Sequence, residues 1–246
     1  MKYFNGPAQR IGWLFVVATV AGVLSVVVMS STLGDEDLLS AVHADQSSLI
    51  VGNMLIFVML AAMVGTAVLL SPILRVHSET LALSYVLART LEVVVISIGL
   101  VAALLLVPLS WDFAAADGAD LASARVLAES LKAASDWTGY LGAQMIFSIS
   151  ALVLNWAFLR NRLIPRWLSL WGLIGVPPAF ASGLLVMFES LNSNTSTLNL
   201  LIVPLAVQEM AMALWMIVRG FREVTEPDAA AVESDVIERA SSTGTR

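Results

Sequence analysis

Arg89, Glu92 and Glu209 are the charged residues that fall deep inside long apolar runs of this 246-residue chain. A charge at bilayer depth costs at least about 2.5–3.5 kcal/mol on insertion scales, so it needs a partner or a task. Arg89 and Glu92 are three apart, hence on one helical face. Counted from the ends of their runs at ~1.5 Å per residue, Arg89 lies roughly 12 Å in, Glu92 roughly 16 Å and Glu209 roughly 14 Å. All three fall at nearly one depth. Arg89 can therefore pair with Glu92 along its own helix and with Glu209 across a bundle. One cation between two carboxylates leaves a net negative charge, which favours a bound proton or a small cation.

Other polar side chains can extend this cluster. Gln208 precedes Glu209, and Tyr85 lies one helical turn before Arg89 on the same face. Gln144, Ser148 and Asn155 lie along the fourth apolar run, with Gln144 and Ser148 four apart; Asn53 lies near the outer end of the second. Side chains of this kind ordinarily make interhelical hydrogen bonds. Pro177 and Pro178 sit mid-way along the fifth run. They remove two backbone donors and are expected to break or kink that helix. Transporters use such breaks as binding sites. Pro204 stands nearer the outer face in the sixth run. Two readings stay open. One is a polar site for a proton, a cation or a small amphiphile in a transporter-like or sensing protein. The other is a structural or accessory membrane protein whose buried ion pair only fixes helix packing.

The elements that position these residues are legible from composition. Apolar residues make up 58% of the chain and charged residues 13%, against about 45–50% and about 25% in soluble domains. Mean hydropathy is +0.84. Six runs, 11–31, 49–74, 81–107, 137–159, 168–188 and 198–218, can each cross a hydrocarbon core of about 30 Å as a helix. Backbone groups in lipid must be satisfied internally, and the short alternating segments of a barrel are absent. The reading is an all-α, polytopic six-helix bundle. Lys2 and Arg10 precede the first run, but it is longer than a signal-peptide core and no small-residue cleavage site follows, so it reads as a retained span.

Lys and Arg sort by side. Lys2, Arg10, Arg75, Arg160, Arg162, Arg166, Arg219, Arg222, Arg239 and Arg246 fall on one side; Arg125 and Lys132 fall on the other. This asymmetry places both termini in the cytoplasm and the protein in the inner (plasma) membrane, and an even number of spans agrees. The opposite connections are acidic, with Asp35, Glu36, Asp37, Asp45, Asp112, Asp117, Asp120, Glu129, Asp136 and Glu189.

The long connection 110–136 carries Leu121, Ala124, Leu127 or Ala128, and Leu131 at helical spacing, with Asp120 as a candidate N-cap. It is expected to form a short amphipathic outer helix. A shorter one is expected over 35–45, with Leu38, Leu39 and Val42 inward. Residues 1–222 form the membrane domain; residues 223–246 are polar and acidic and read as a mostly disordered cytoplasmic tail. Small-residue pairs Ala18/Gly22, Ala61/Gly65 and Gly139/Gly142 suit close helix approach. Trp13, Trp137, Trp167 and Trp171 suit interfacial positions.

Several chemistries lack their residues. There is no cysteine, no His-Glu-x-x-His, no Gly-x-Ser-x-Gly and no Walker A sequence. His43 and His77 are expected on opposite sides, so they share no metal and no haem. No metal site and no cofactor are expected, enzyme activity is disfavoured, and the partners are membrane lipids rather than nucleic acid.

Four stretches carry a resemblance. They are Arg10-Ile-Gly-Trp-Leu-Phe through Ala21-Gly22; Arg89-x-x-Glu92; Leu163-Ile-Pro-Arg-Trp-Leu-Ser-x-Trp-Gly172; and Gln208-Glu209 followed by Trp215 and Gly220-Phe221. Together they span roughly residues 8–222, and the third is the most specific. On these the chain resembles a bacterial integral-membrane family known as domain of unknown function 4386. The resemblance implies a multi-pass membrane protein and brings no activity, substrate or catalytic residue.

Overall fold

The computed structural model describes residues 3–4, 6–114, 119–188 and 196–222. Its elements are β1 (Tyr3–Phe4), α1 (Gly6–Leu33), α2 (Leu38–Ala44), α3 (Gln46–Arg75), α4 (Glu79–Ala114), α5 (Ala119–Tyr140), a π-helical segment (Leu141–Ile146), α6 (Phe147–Asn161), α7 (Arg166–Met187), α8 (Ser196–Val218) and β2 (Phe221–Arg222). Six helical stretches are long and apolar enough to cross a membrane, with mean hydropathies from 1.5 to 2.7. They are α1, α3, α4, the run from α5 into α6, α7 and α8. Their outward faces carry large apolar side chains such as Val26, Phe57, Val68 and Ile174, an outer surface that lipid covers and water would not.

The spans close into a ring in chain order. α1 packs on α3, α3 on α4, α4 on α6, α6 on α7, α7 on α8, and α8 returns to α1. Glycines allow the closest approaches. A Cβ on Gly12 of α1 would stand 2.7 Å from the Ala213 carbonyl oxygen of α8, and Gly22 and Gly65 sit against Met59 and Leu14 at the α1–α3 seam. Gly142 presses on Ile96 of α4, whereas Gly139 faces open space and is no packing contact.

Among the described residues four apolar clusters result, and the two largest lie toward opposite ends of the bundle. The larger gathers Ile11, Phe15, Leu70, Leu74, Tyr85, Phe158 and Leu168 in the half of the bundle near the arginine-rich end. The smaller gathers Met29, Leu39, Val42, Leu49, Leu106 and Ala128 at the opposite end. There α2 packs on α4, α1 and α5, with Leu38, Leu39 and Val42 inward as their spacing predicts. Asp45 then caps α3. The Ser47 hydroxyl and the Ser48 backbone N–H both donate to its carboxylate, at 2.6 and 3.1 Å, and hold its pKa below the usual range.

The expected outer helix is present but continues. α5 runs through the π-helical segment into α6, so the fourth span and the amphipathic helix are one rod. Asp120 lies in its first turn rather than before it. α4 likewise passes Pro108 and ends at Ala114, beyond the expected limit at Val107. At 36 residues it is ~54 Å long and projects past a core of about 30 Å, where α5 packs along it.

At the other end, β1 pairs antiparallel with β2, Tyr3 opposite Arg222 and Phe4 opposite Phe221. Both described ends of the chain thus meet at one end of the bundle. The Arg222 N–H donates to the Leu163 carbonyl at 2.9 Å, and the Phe221 ring lies 5.7 Å from that of Phe158. Leu163 and Ile164 are buried in this corner, entered by a left-handed turn at Arg162 (φ 52°). The proposed tail, residues 223–246, lies outside the described residues.

Candidate functional site

Arg89 stands ten residues into α4 and Glu209 nine residues before the end of α8, so both lie ~14–15 Å from the arginine-rich end. The ring closure brings them together inside the bundle. Arg89 Nη1 donates to both oxygens of Glu92, at 3.1 and 3.0 Å. Its Nη2 lies 3.5 Å from Glu209 Oε1, and its Nε donates to the Tyr85 hydroxyl at 3.3 Å. The rings of Phe15, Tyr85 and Phe147 stand with centroids 5.7–5.9 Å from the guanidinium carbon. A guanidinium is weakly hydrated and favours aromatic faces, so α1, α4 and α6 each supply part of its solvation.

The two carboxylates are held differently. Glu92 accepts from Arg89 Nη1 with both oxygens and also accepts from the Ser150 hydroxyl of α6 at 3.0 Å. That hydroxyl is equally close to the Phe147 carbonyl at 2.9 Å, so its one proton serves either acceptor. The Glu92 side chain is 3% exposed. Glu209 has a single, longer contact with Arg89 and is 17% exposed. It borders a small cavity of about 10 Å³, lined in part by Ser150, Asn155, Gln208 and Arg89. That is space for about one water molecule among several polar partners.

Behind Glu209 a second network fixes α8. Gln208 Nε2 donates to Asn155 Oδ1 of α6 and to the Leu168 carbonyl of α7, both at 3.1 Å. Asn155 Nδ2 donates to the Ala151 carbonyl at 2.9 Å. Gly172 makes this possible: a Cβ there would stand 2.3 Å from the Asn155 amide oxygen. Among the described residues, no group of three His, Cys, Asp or Glu side chains is placed to hold a metal ion.

The sequence profile of the domain of unknown function (DUF4386) family matches residues 11–220. The chain belongs to that family. The match takes in all six spans and the whole Arg89 cluster. No curated protein and no solved structure matches the chain. The Pro165-Arg166-Trp167 stretch forms the α6–α7 corner, where Pro165 precedes the first residue of α7 and Trp167 stacks with Trp171 at 6.4 Å.

Not every expected residue of this family member joins the site. Gln144 lies in the π-helical segment and faces α7, where the Ser182 hydroxyl donates to it at 3.3 Å. The Ser148 hydroxyl donates to the Gln144 backbone carbonyl rather than to the cluster. Asn53 donates to the Leu49 carbonyl at 2.8 Å at the far end of α3. The expected break at Pro177 and Pro178 is absent: α7 runs through both, and α8 runs through Pro204. Losing the N–H donors owed to the Leu173 and Ile174 carbonyls does not end a helix that its neighbours pack in place.

Ser150, Phe15 and Phe147 escaped the sequence reading. Ser150 lies just beyond the π-helical segment, whose i→i+5 bonding holds more residues per turn. Spacings of three and four from Gln144 therefore point to the wrong face. The two phenylalanines resemble every other apolar residue of their runs.

Proposed function

We propose that this multi-pass membrane protein is transporter-like or sensing, and that Glu209 is its exchangeable acid, binding a proton or small cation against Arg89. The observation that carries this reading is the inequality of the two carboxylates. Glu92 is held through both oxygens by Arg89 and shares the Ser150 hydroxyl, whereas Glu209 makes one 3.5 Å contact beside a water-sized cavity. One guanidinium cannot neutralise both acids, so the second charge invites a mobile partner. The cavity's volume of about 10 Å³ suits a water molecule or a small cation. By the bias of Lys and Arg, the Arg75–Arg160–Arg219 end faces the cytoplasm of an inner-membrane protein.

A structural role is favoured by one feature, the contacts that Arg89 makes through all three of its nitrogens. Melting of purified protein across pH 4–9 separates the two. Wild type is expected to change its melting temperature with pH, and Glu209→Gln to flatten that dependence. Glu92→Gln is expected to lower the melting temperature throughout. An unchanged pH profile in Glu209→Gln rejects the exchangeable acid and leaves the packing role.

A further inference from the structure

A second cavity touches Arg89 from outside the ring. It is a groove of about 390 Å³ between α3 and α4. Its α3 wall is Val64, Ala67, Val68, Ser71, Pro72 and Arg75. These recur at spacings of three and four, so they form one stripe ~16 Å long ending at the helix terminus. Val86, Thr90 and an edge of Arg89 form the α4 wall. Val64 and Val68 are exposed, so the groove opens sideways toward lipid rather than into the bundle.

The polarity of this groove is graded. The terminal end holds Arg75 and the Ser71 hydroxyl; the deeper part of the α3 wall is aliphatic. Among the described residues Arg75 has no carboxylate within 4.0 Å, and the hydroxyls of Ser71 and Thr90 have no hydrogen-bond partner. Pro72 has no N–H, so the Val68 carbonyl loses its helical donor beside the same groove. No acidic residue is among its described lining. Arg89's charge is already met by Glu92 and Glu209, which leaves Arg75 as the cation seeking an anion.

We infer that this groove binds an anionic phospholipid, with its phosphate on Arg75 and Ser71 and an acyl chain along Val68 and Val64. A guanidinium at the membrane surface matches phosphate oxygens in a bidentate fork. The aliphatic stripe below it accepts a chain that enters from the bilayer. The charge complementarity selects the head group and the lateral opening selects a lipid over a soluble phosphate. The groove shares Arg89 with the Glu209 cluster, but its head-group end, Arg75 and Ser71, lies on α3, which contributes no residue to the cavity beside Glu209.

The test uses full-length protein in phosphatidylcholine nanodiscs containing a minor fraction of phosphatidic acid with a photoreactive acyl chain. Crosslinked peptides are read by mass spectrometry. Labelling is expected on α3 and α4, and above that of a matched phosphatidylcholine probe. Arg75→Gln is expected to cut it about tenfold, equivalent to ~1.4 kcal/mol, and Arg75→Lys to restore part of it. Val68→Trp, a lipid-facing change that fills the groove, is expected to abolish it. Arg160→Gln, an exposed arginine at the same end but on α6, is expected to leave it unchanged. Equal labelling by the two probes, or equal loss in Arg160→Gln, overturns the inference. So does undiminished labelling in Arg75→Gln, a surface change that leaves packing intact.

Discussion

The same pairing of arginine with a carboxylate occurs at two places in this molecule, with opposite surroundings. In the ring, Arg89 and Glu92 are 6% and 3% exposed, 3.0 Å apart and screened by aromatic rings. At the end of the bundle away from the arginine-rich one, Arg125 and Asp37 are 54% and 47% exposed and 3.7 Å apart, with Arg125 lying over Phe113. An exposed pair gains little over the water it displaces and pays in side-chain entropy. A buried pair gains little over a well-packed apolar replacement, yet removing one partner strands the other without water. The lesson is that the buried cluster is conditional: it is tolerable only complete.

The strongest break of this comparison is Arg89→Met. It leaves Glu92 and Glu209 facing each other in the bundle without a cation and is expected to cost about 3–5 kcal/mol. Chemical denaturation in detergent reads it, and a loss below about 1 kcal/mol removes the contrast. Leu39→Ala comes next. Leu39 is 1% exposed in the outer core, and its truncation is expected to cost about 2–3 kcal/mol with no effect on pH dependence. That value separates ordinary apolar packing at the outer end from charge burial in the ring. The smallest effect belongs to Arg125→Gln, at most about 1 kcal/mol and weaker still in high salt. If Arg125→Gln destabilises as much as Arg89→Met, depth is not what distinguishes the two pairs.

What could be read in the sequence follows from which forces leave periodic marks. Spans are marked because lipid demands about 20 apolar residues in succession. The Arg89 cluster is marked because a charge in such a run must find a partner at its own depth, which pins Glu209 to Arg89 across 120 residues of chain. α2 is marked by Leu38, Leu39 and Val42. Other features leave no mark. The π-helical segment shifts the face of α6 without an unusual residue, which hides Ser150. The extension of α4 to Ala114 and the start of α5 at Ala119 belong to the packing of α4 against α5 beyond the expected span limit, where hydropathy no longer counts. The α3–α4 groove is built from valines that read as lipid-facing surface. The two-residue strands at Tyr3–Phe4 and Phe221–Arg222 are too short for any alternation to show.

That strand clasp has a consequence for how the protein matures. Tyr3 precedes α1 and Arg222 follows α8, so the clasp closes only after all six of these spans have been made. A chain halted before α8 leaves the Phe158 ring without Phe221 and the Leu163 carbonyl without its donor. The corner between the fourth and fifth spans then presents apolar surface that the finished molecule covers.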